Sequence, residues 1–285
     1  MRAYPECIPC LISQGLNAVK KLNLPKEKSM EIAQKSLKFL SSFDRFDRSP
    51  AYYAYFIQQI VKEITGEDDP FREYKKLANK KAEEIYPELL KEIEKSEDEL
   101  YLALKVSAVG NAIDFAIKGD FDLQKELNKL LLKDFLVNDY EVFRKKLENA
   151  RSVFVIGDNA GEIVLDKLLV SVLKKLGKEV VYGVRGKPIL NDATYEDALE
   201  VSITELCSVV DNGNDKVGTW LEDCKKEFVD IFYSSDIVIS KGQANFETLS
   251  DADRDIFFLL VAKCNPIGSE TGGKKGELIL KYKDG

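Results

Sequence analysis

The chain is 285 residues long, 45% hydrophobic and 32% charged, with a formal net charge of −7. That length supports one large domain or two ordinary ones with ample core, and the acidic balance argues against generic nucleic-acid or anionic-membrane binding. Histidine is absent altogether, which removes Ser-His-Asp and Cys-His catalysis and every His-containing metal site.

No apolar run approaches the roughly 18 residues of a membrane span, and the N-terminus shows no signal-peptide core. A cytoplasmic protein that engages neither membrane nor nucleic acid is therefore expected. The 5 cysteines, an odd number, fit reduced thiols better than a disulfide framework. Acid–base and metal chemistry must come from carboxylates, amides, thiols, lysines or tyrosines.

Residues 1–148 read as an all-helical region. Apolar residues recur at three- and four-residue spacing over 8–22, 28–42, 50–65, 70–93, 97–118, 121–133 and 139–148. Pro25 and Pro50 fall at first turns, and Asn23, Ser49 and Asp69 stand just before such starts as caps. Cys7-Ile8-Pro9-Cys10 is a CxxC opening a helix. A thioredoxin-type motif would need a preceding strand, and structural zinc would need two more ligands from Cys207, Cys224 and Cys264. A packed thiol pair lining a pocket or an interface is the third reading, and the context favours it. Within the fifth helix, Val109-Gly110-Asn111-Ala112-Ile113-Asp114 carries a glycine, which costs about 1 kcal/mol relative to alanine. Either another backbone passes close to Gly110, or Asn111 and Asp114, three apart on one face, point at something polar.

From residue 149 the pattern changes to short β-branched runs alternating with helices. Strands are expected at 152–156, 178–184, 206–210, 236–240, 256–262 and 277–282, with helices at 161–176, 193–200, 217–233 and 244–250. Such alternation predicts an α/β domain over 149–285 with a parallel, doubly wound sheet.

Ligands of open α/β sheets bind outside the carboxyl ends of the strands, and polar clusters stand there. The first strand runs into Gly157-Asp158-Asn159-Ala160-Gly161-Glu162. Later ends carry Arg185 to Thr194, Asp211-Asn212-Gly213-Asn214, Ser240-Lys241-Gly242-Gln243-Ala244-Asn245-Phe246-Glu247, and Lys263-Cys264. Each alone is ordinary turn or cap chemistry; their convergence on one sheet edge is not. Asp158, Asn159 and Asp192 form a hard oxygen set suited to Mg²⁺ or Mn²⁺ with open positions. Gly161 and Glu162 open a helix whose free N–H groups favour a phosphate. Lys241, the backbone N–H groups of Gly242 to Asn245, and Lys263 would add donors for phosphate oxygens. A divalent metal beside anion donors is the equipment of phosphoryl hydrolysis. Neither G-x-G-x-x-G nor a Walker A sequence occurs; Gly272-Gly273-Lys274-Lys275 lacks the spacing and the hydroxyl.

The Asp-Asn-x-Gly-Glu stretch at 158–162, the Asn-Asp-x-Thr at 191–194 and the Lys-Gly-x-x-Asn-Phe at 241–246 resemble the damage-control phosphatases, long catalogued as a domain of unknown function. The CxxC and the Gly-Asn-x-Ile-Asp element resemble the prokaryotic, single-enzyme branch. The resemblance spans Cys7 to Lys263. It implies a Rossmann-like three-layer α/β/α core carrying an N-terminal helical region. It also implies a metal held by Asp158, Asn159 and Asp192, and hydrolysis of small phosphate monoesters such as sugar phosphates or nucleotide derivatives. Mn²⁺, Co²⁺, Ni²⁺ or Mg²⁺ would serve. Glu162 is expected to orient the attacking water or a sugar hydroxyl. Where relatives carry Arg-Thr-x-Lys, this chain has Val261-Ala262-Lys263-Cys264, which makes Lys263 the loosest match. Two other readings stay open: a non-catalytic binder of nucleotides or sugar phosphates, and an S-adenosylmethionine-dependent methyltransferase built on the Gly157–Gly161 turn.

Overall fold

The computed structural model describes residues 1–111 and 123–285. Three helices come first: α1 (Cys7–Lys21), α2 (Lys26–Leu40) and α3 (Pro50–Thr65). Ser49 caps α3 as its sequence suggests, its hydroxyl accepting the Tyr52 N–H at 3.3 Å, with Pro50 in the first turn. The three helices bury Ala18, Val19, Ile32, Tyr53, Ile57 and Val61 between them. They also rest on Ile189, Leu190 and Val217, which belong to the second half of the chain.

The chain then runs α4 (Arg72–Lys95), α5 (Glu99–Gly110), α6 (Leu123–Leu131), β1 (Phe135–Asn138), α7 (Tyr140–Asn149), β2 (Ser152–Ile156) and α8 (Glu162–Lys175). It continues β3 (Glu179–Val184), α9 (Tyr195–Glu200), β4 (Ser208–Asp211), α10 (Lys226–Ser234), β5 (Ile237–Lys241) and α11 (Gln243–Leu249). It closes with β6 (Ile256–Val261), α12 (Asn265–Thr271) and β7 (Leu278–Lys283).

Among the described residues the strands form one sheet in the order β1-β7-β6-β5-β2-β3-β4. β6, β5, β2, β3 and β4 run parallel; β7 is antiparallel to β6, and β1 follows β7. The strands at the centre are buried on both faces, and their side chains alternate between them. Val153 and Val155 join the core beneath α4, α5 and α8, while Phe154 and Ile156 join the one beneath α10, α11 and α12. The result is the expected α/β/α arrangement with a mostly parallel sheet.

Four local expectations change. β1 lies in the stretch read as helical; it has four residues, two of them exposed, too few for a period-2 signal to stand out. The helix expected at 217–233 begins only at Lys226, because Val217 to Lys225 form an irregular loop with one short 3₁₀ turn. α12 adds a helix where no element is expected, since its seven residues show too little periodicity. α5 ends at Gly110, and Asp114 lies outside the described residues. No described helix is long and apolar enough to cross a membrane.

Candidate active site

The loops after β2 and β3 are zipped together by their main chains. Ala160 N–H donates to Asn191 O at 2.8 Å, Ala193 N–H to Asp158 O at 2.8 Å, and Arg185 N–H to Ala193 O at 2.9 Å. Asn159 and Asp192 form an antiparallel bridge. This pairing brings together three side chains that stand up to 34 positions apart in sequence. Asp158, Asn159 and Asp192 all line one cavity of about 310 Å³ between the sheet edge and helices α1 and α3.

The three are held from behind. Asp158 Oδ2 accepts the amides of Asn111 at 2.8 Å and Asn159 at 2.7 Å. Arg185, itself buried, donates from Nε to Asp192 Oδ2 at 2.7 Å and from its other nitrogens to Thr219 Oγ1 and Asn245 Oδ1. Burial, then Asp192, then Glu162 push the Asp158 carboxyl up to about 7, against the pull of Lys263 and Arg185. Burial also raises Asp192, in spite of Arg185. A cavity floor that concentrates carboxylates beyond its own positive charge suits a cation.

The donor set fits a hard divalent ion. It comprises two carboxylates and the Asn159 amide, whose nitrogen is spent on Asp158 and Glu162, so that its carbonyl oxygen is the donor left over. Among the described residues no three Cys, Asp or Glu side chains converge to hold a metal, so a thiol zinc site is not formed. Cys7, Cys10 and Cys264 are free thiols that line the same cavity, with burial raising each of them.

Residues 3–279 match the profile of the damage-control phosphatase ARMT1-like domain. The chain is 32% identical to damage-control phosphatase PH1575 of Pyrococcus horikoshii, covering 98% of this chain and 97% of that one. It is 31% identical to a damage-control phosphatase of Archaeoglobus fulgidus, covering 99% of each. The crystal structure of the P. horikoshii DUF89 family protein superposes with a TM-score of 0.89 at 30% identity, covering 98% of both chains. The chain belongs to the ARMT1-like damage-control phosphatase family.

The family's Lys-Gly-x-x-Asn-Phe element is placed differently from the expectation. Lys241, expected on the phosphate, is 0% exposed and does not line the cavity. Its ammonium sits 2.6 Å from both Glu162 Oε1 and Asp166 Oδ1 and donates to Ser107 O. Gly242 also lies beneath the site rather than in it. Its φ of +80° and lack of a side chain make room for the Asp158 carboxylate, which a Cβ would strike. Asn245 spends its amide on Gly157 O and Lys241 O and its oxygen on Arg185 and Thr219. These three residues hold the floor from behind.

Glu162, expected to orient water, is sealed from the cavity too. Oε1 takes Lys241; Oε2 takes the amides of Asn111 and Asn159 and the Asn159 N–H. Burial works against its charge, but Lys241 and Asn111 outweigh burial and hold its carboxyl below the ordinary range. It bonds Asn159 directly and reaches Asp158 through Asn111. Lys263 does line the cavity, exposed at the end of β6, and its charge acts on Asp158. Asp166 had no motif to mark it, and Arg185 stood only in the polar cluster after the second expected strand. Asn111 had one: Gly110 meets the Glu162 backbone, and Asn111 bridges Asp158 and Glu162, while the Asp114 part of that reading lies outside the described residues.

Proposed function

We propose that the chain is a divalent-metal-dependent phosphatase acting on small phosphate monoesters, such as those of damaged or surplus metabolites. Family membership supports a phosphatase role in general. The observation that carries the finer reading is the convergence of Asp158, Asn159, Asp192 and Lys263 on one small cavity. Asp158, Asn159 and Asp192 would hold Mn²⁺, Co²⁺, Ni²⁺ or Mg²⁺. When bound, such an ion polarises a phosphoryl oxygen and acidifies a coordinated water.

The remaining work falls to the chain itself. Lys263 offers a charge-assisted donor to the phosphate from the rim. Asn111 and Arg185 fix the two carboxylates, so the ligand oxygens need little reorganisation. The walls contributed by α1 and α3 enclose the ester and limit water. The methyltransferase reading is not favoured, since the family whose profile the chain matches is one of phosphatases.

Hydrolysis of p-nitrophenyl phosphate should need added Mn²⁺, Co²⁺, Ni²⁺ or Mg²⁺ and vanish with EDTA. Asp158→Ala should reduce kcat/KM by at least about a hundredfold, as loss of a central electrostatic group does. Full activity in that variant would sink the assignment.

A further inference from the structure

We propose that Gln14 is the residue that recognises the alcohol half of the phosphate ester, through a hydroxyl of the substrate. The inference rests on the phosphatase reading and extends it to specificity.

Helix α1 presents one stripe to the cavity: Cys7, Cys10, Gln14, Asn17 and Lys21 all line it, spaced by three or four residues as one helical face requires. The neighbouring face is locked. A Cβ at Gly15 would stand 3.2 Å from Ile57 Cγ2 and 3.4 Å from Ile32 Cγ2, so α1 lies tightly on α2 and α3. The stripe therefore has a fixed height above the floor. Within it, Gln14 Oε1 is shielded from solvent and meets no donor among the described residues.

A shielded acceptor without a donor destabilises the protein, and a ligand donor would remove that cost. The rest of the lining says what kind of donor. Phe71 is the one aromatic ring among the lining residues described, and it is 3% exposed, which leaves little face on which a nucleobase could stack. The amides of Asn17, Asn191 and Gln243 stand around the same space. A hydroxylated carbon skeleton, which donates and accepts at each position, matches such a wall. Binding would include a rotation of the Gln14 side chain that turns this shielded oxygen to the ligand.

The test compares Gln14→Leu with the unaltered protein, loaded with Mn²⁺. The substrates are p-nitrophenyl phosphate, which has no hydroxyl, and glycerol 3-phosphate, ribose 5-phosphate and glucose 6-phosphate. For the best hydroxylated substrate, kcat/KM should fall about tenfold or more, mainly through KM, the scale of one lost buried hydrogen bond. p-Nitrophenyl phosphate should stay within about twofold. Without substrate, the melting temperature of Gln14→Leu should hold or rise, because an unmatched amide has been replaced by an apolar group of similar size. Equal losses on both kinds of ester, a fall in melting temperature, or no hydroxylated ester cleaved while p-nitrophenyl phosphate is would each overturn the role. Failure of the unaltered protein on every ester would instead strike the phosphatase reading.

Discussion

Glu247 faces the cavity from α11 as a buried carboxyl, its Oε1 accepting the Gln243 amide at 3.0 Å. Burial pushes it from an ordinary 4.5 up to about 7, with the Gln243 amide, the Ala51 N–H and the N-terminal charge pulling the other way. Between those two values the folded chain keeps a proton that the unfolded chain has released. Stability must therefore fall as pH rises through that window and be lowest above about 7. The full difference is on the order of 3 kcal/mol. Glu247→Gln should melt with the unaltered protein at pH 5 and several degrees above it at pH 8, measured in EDTA. Equal melting at pH 8 would show that Glu247 is not the source. At this scale the sequence was informative where a residue sat at a strand end. Asp158, Asn159 and Asp192 are where the turn chemistry put them, whereas Lys241 could be placed at a strand end but not assigned a direction. The last residue of a buried strand points to one face or the other, and Lys241 points down, into Glu162 and Asp166.

The contact between α5 and α8 decides how firmly the site is held. Gly110 closes that contact: a Cβ there would lie 3.3 Å from Leu165 Cδ1 and 3.4 Å from Glu162 Cγ. Alanine fits with a shift of a few tenths of an ångström and regains helix propensity. Valine adds two methyl groups against a packed helix, which costs typically 1–3 kcal/mol. Gly110→Val should then lift Asn111 away from Asp158 and Glu162. The expected result is a melting temperature lower by several degrees and a kcat reduced at least about tenfold, with Gly110→Ala close to normal in both. If valine leaves kcat unchanged, Asn111 does not position the site. The helix pattern disclosed that Gly110 needed a reason but not which neighbour supplied it, because close approach is a tertiary fact. β1 was hidden for a related reason. A four-residue edge strand is defined by its partner β7, some 140 residues on, and not by its own period.

At the scale of the molecule the site lies where two parts meet. The loops after β2 and β3 supply the floor, and α1 and α3 supply the walls. Sheet order, the reversed β7 and the seat of α1 to α3 on Ile189 and Val217 all depend on long-range packing, so the sequence pattern could give the layers but not the arrangement. A metal bound to Asp158, Asn159 and Asp192 would tie the two loops to each other and draw off the repulsion from Asp192 and Glu162 that adds to burial in raising Asp158. An ion that binds the folded chain alone stabilises it by mass action, about 2.7 kcal/mol at a hundred times its Kd. In a chain of 285 residues that amounts to roughly 4–6 °C. Adding Mn²⁺ after EDTA treatment should therefore raise the melting temperature by that much. Asp158→Ala should lose most of the rise, because one ligand is gone and the remaining two belong to adjacent loops. Gln14→Leu, which touches the wall alone, should keep all of it. An equal rise in Asp158→Ala would mean that the ion binds elsewhere, since removing a carboxylate from its own site must weaken it.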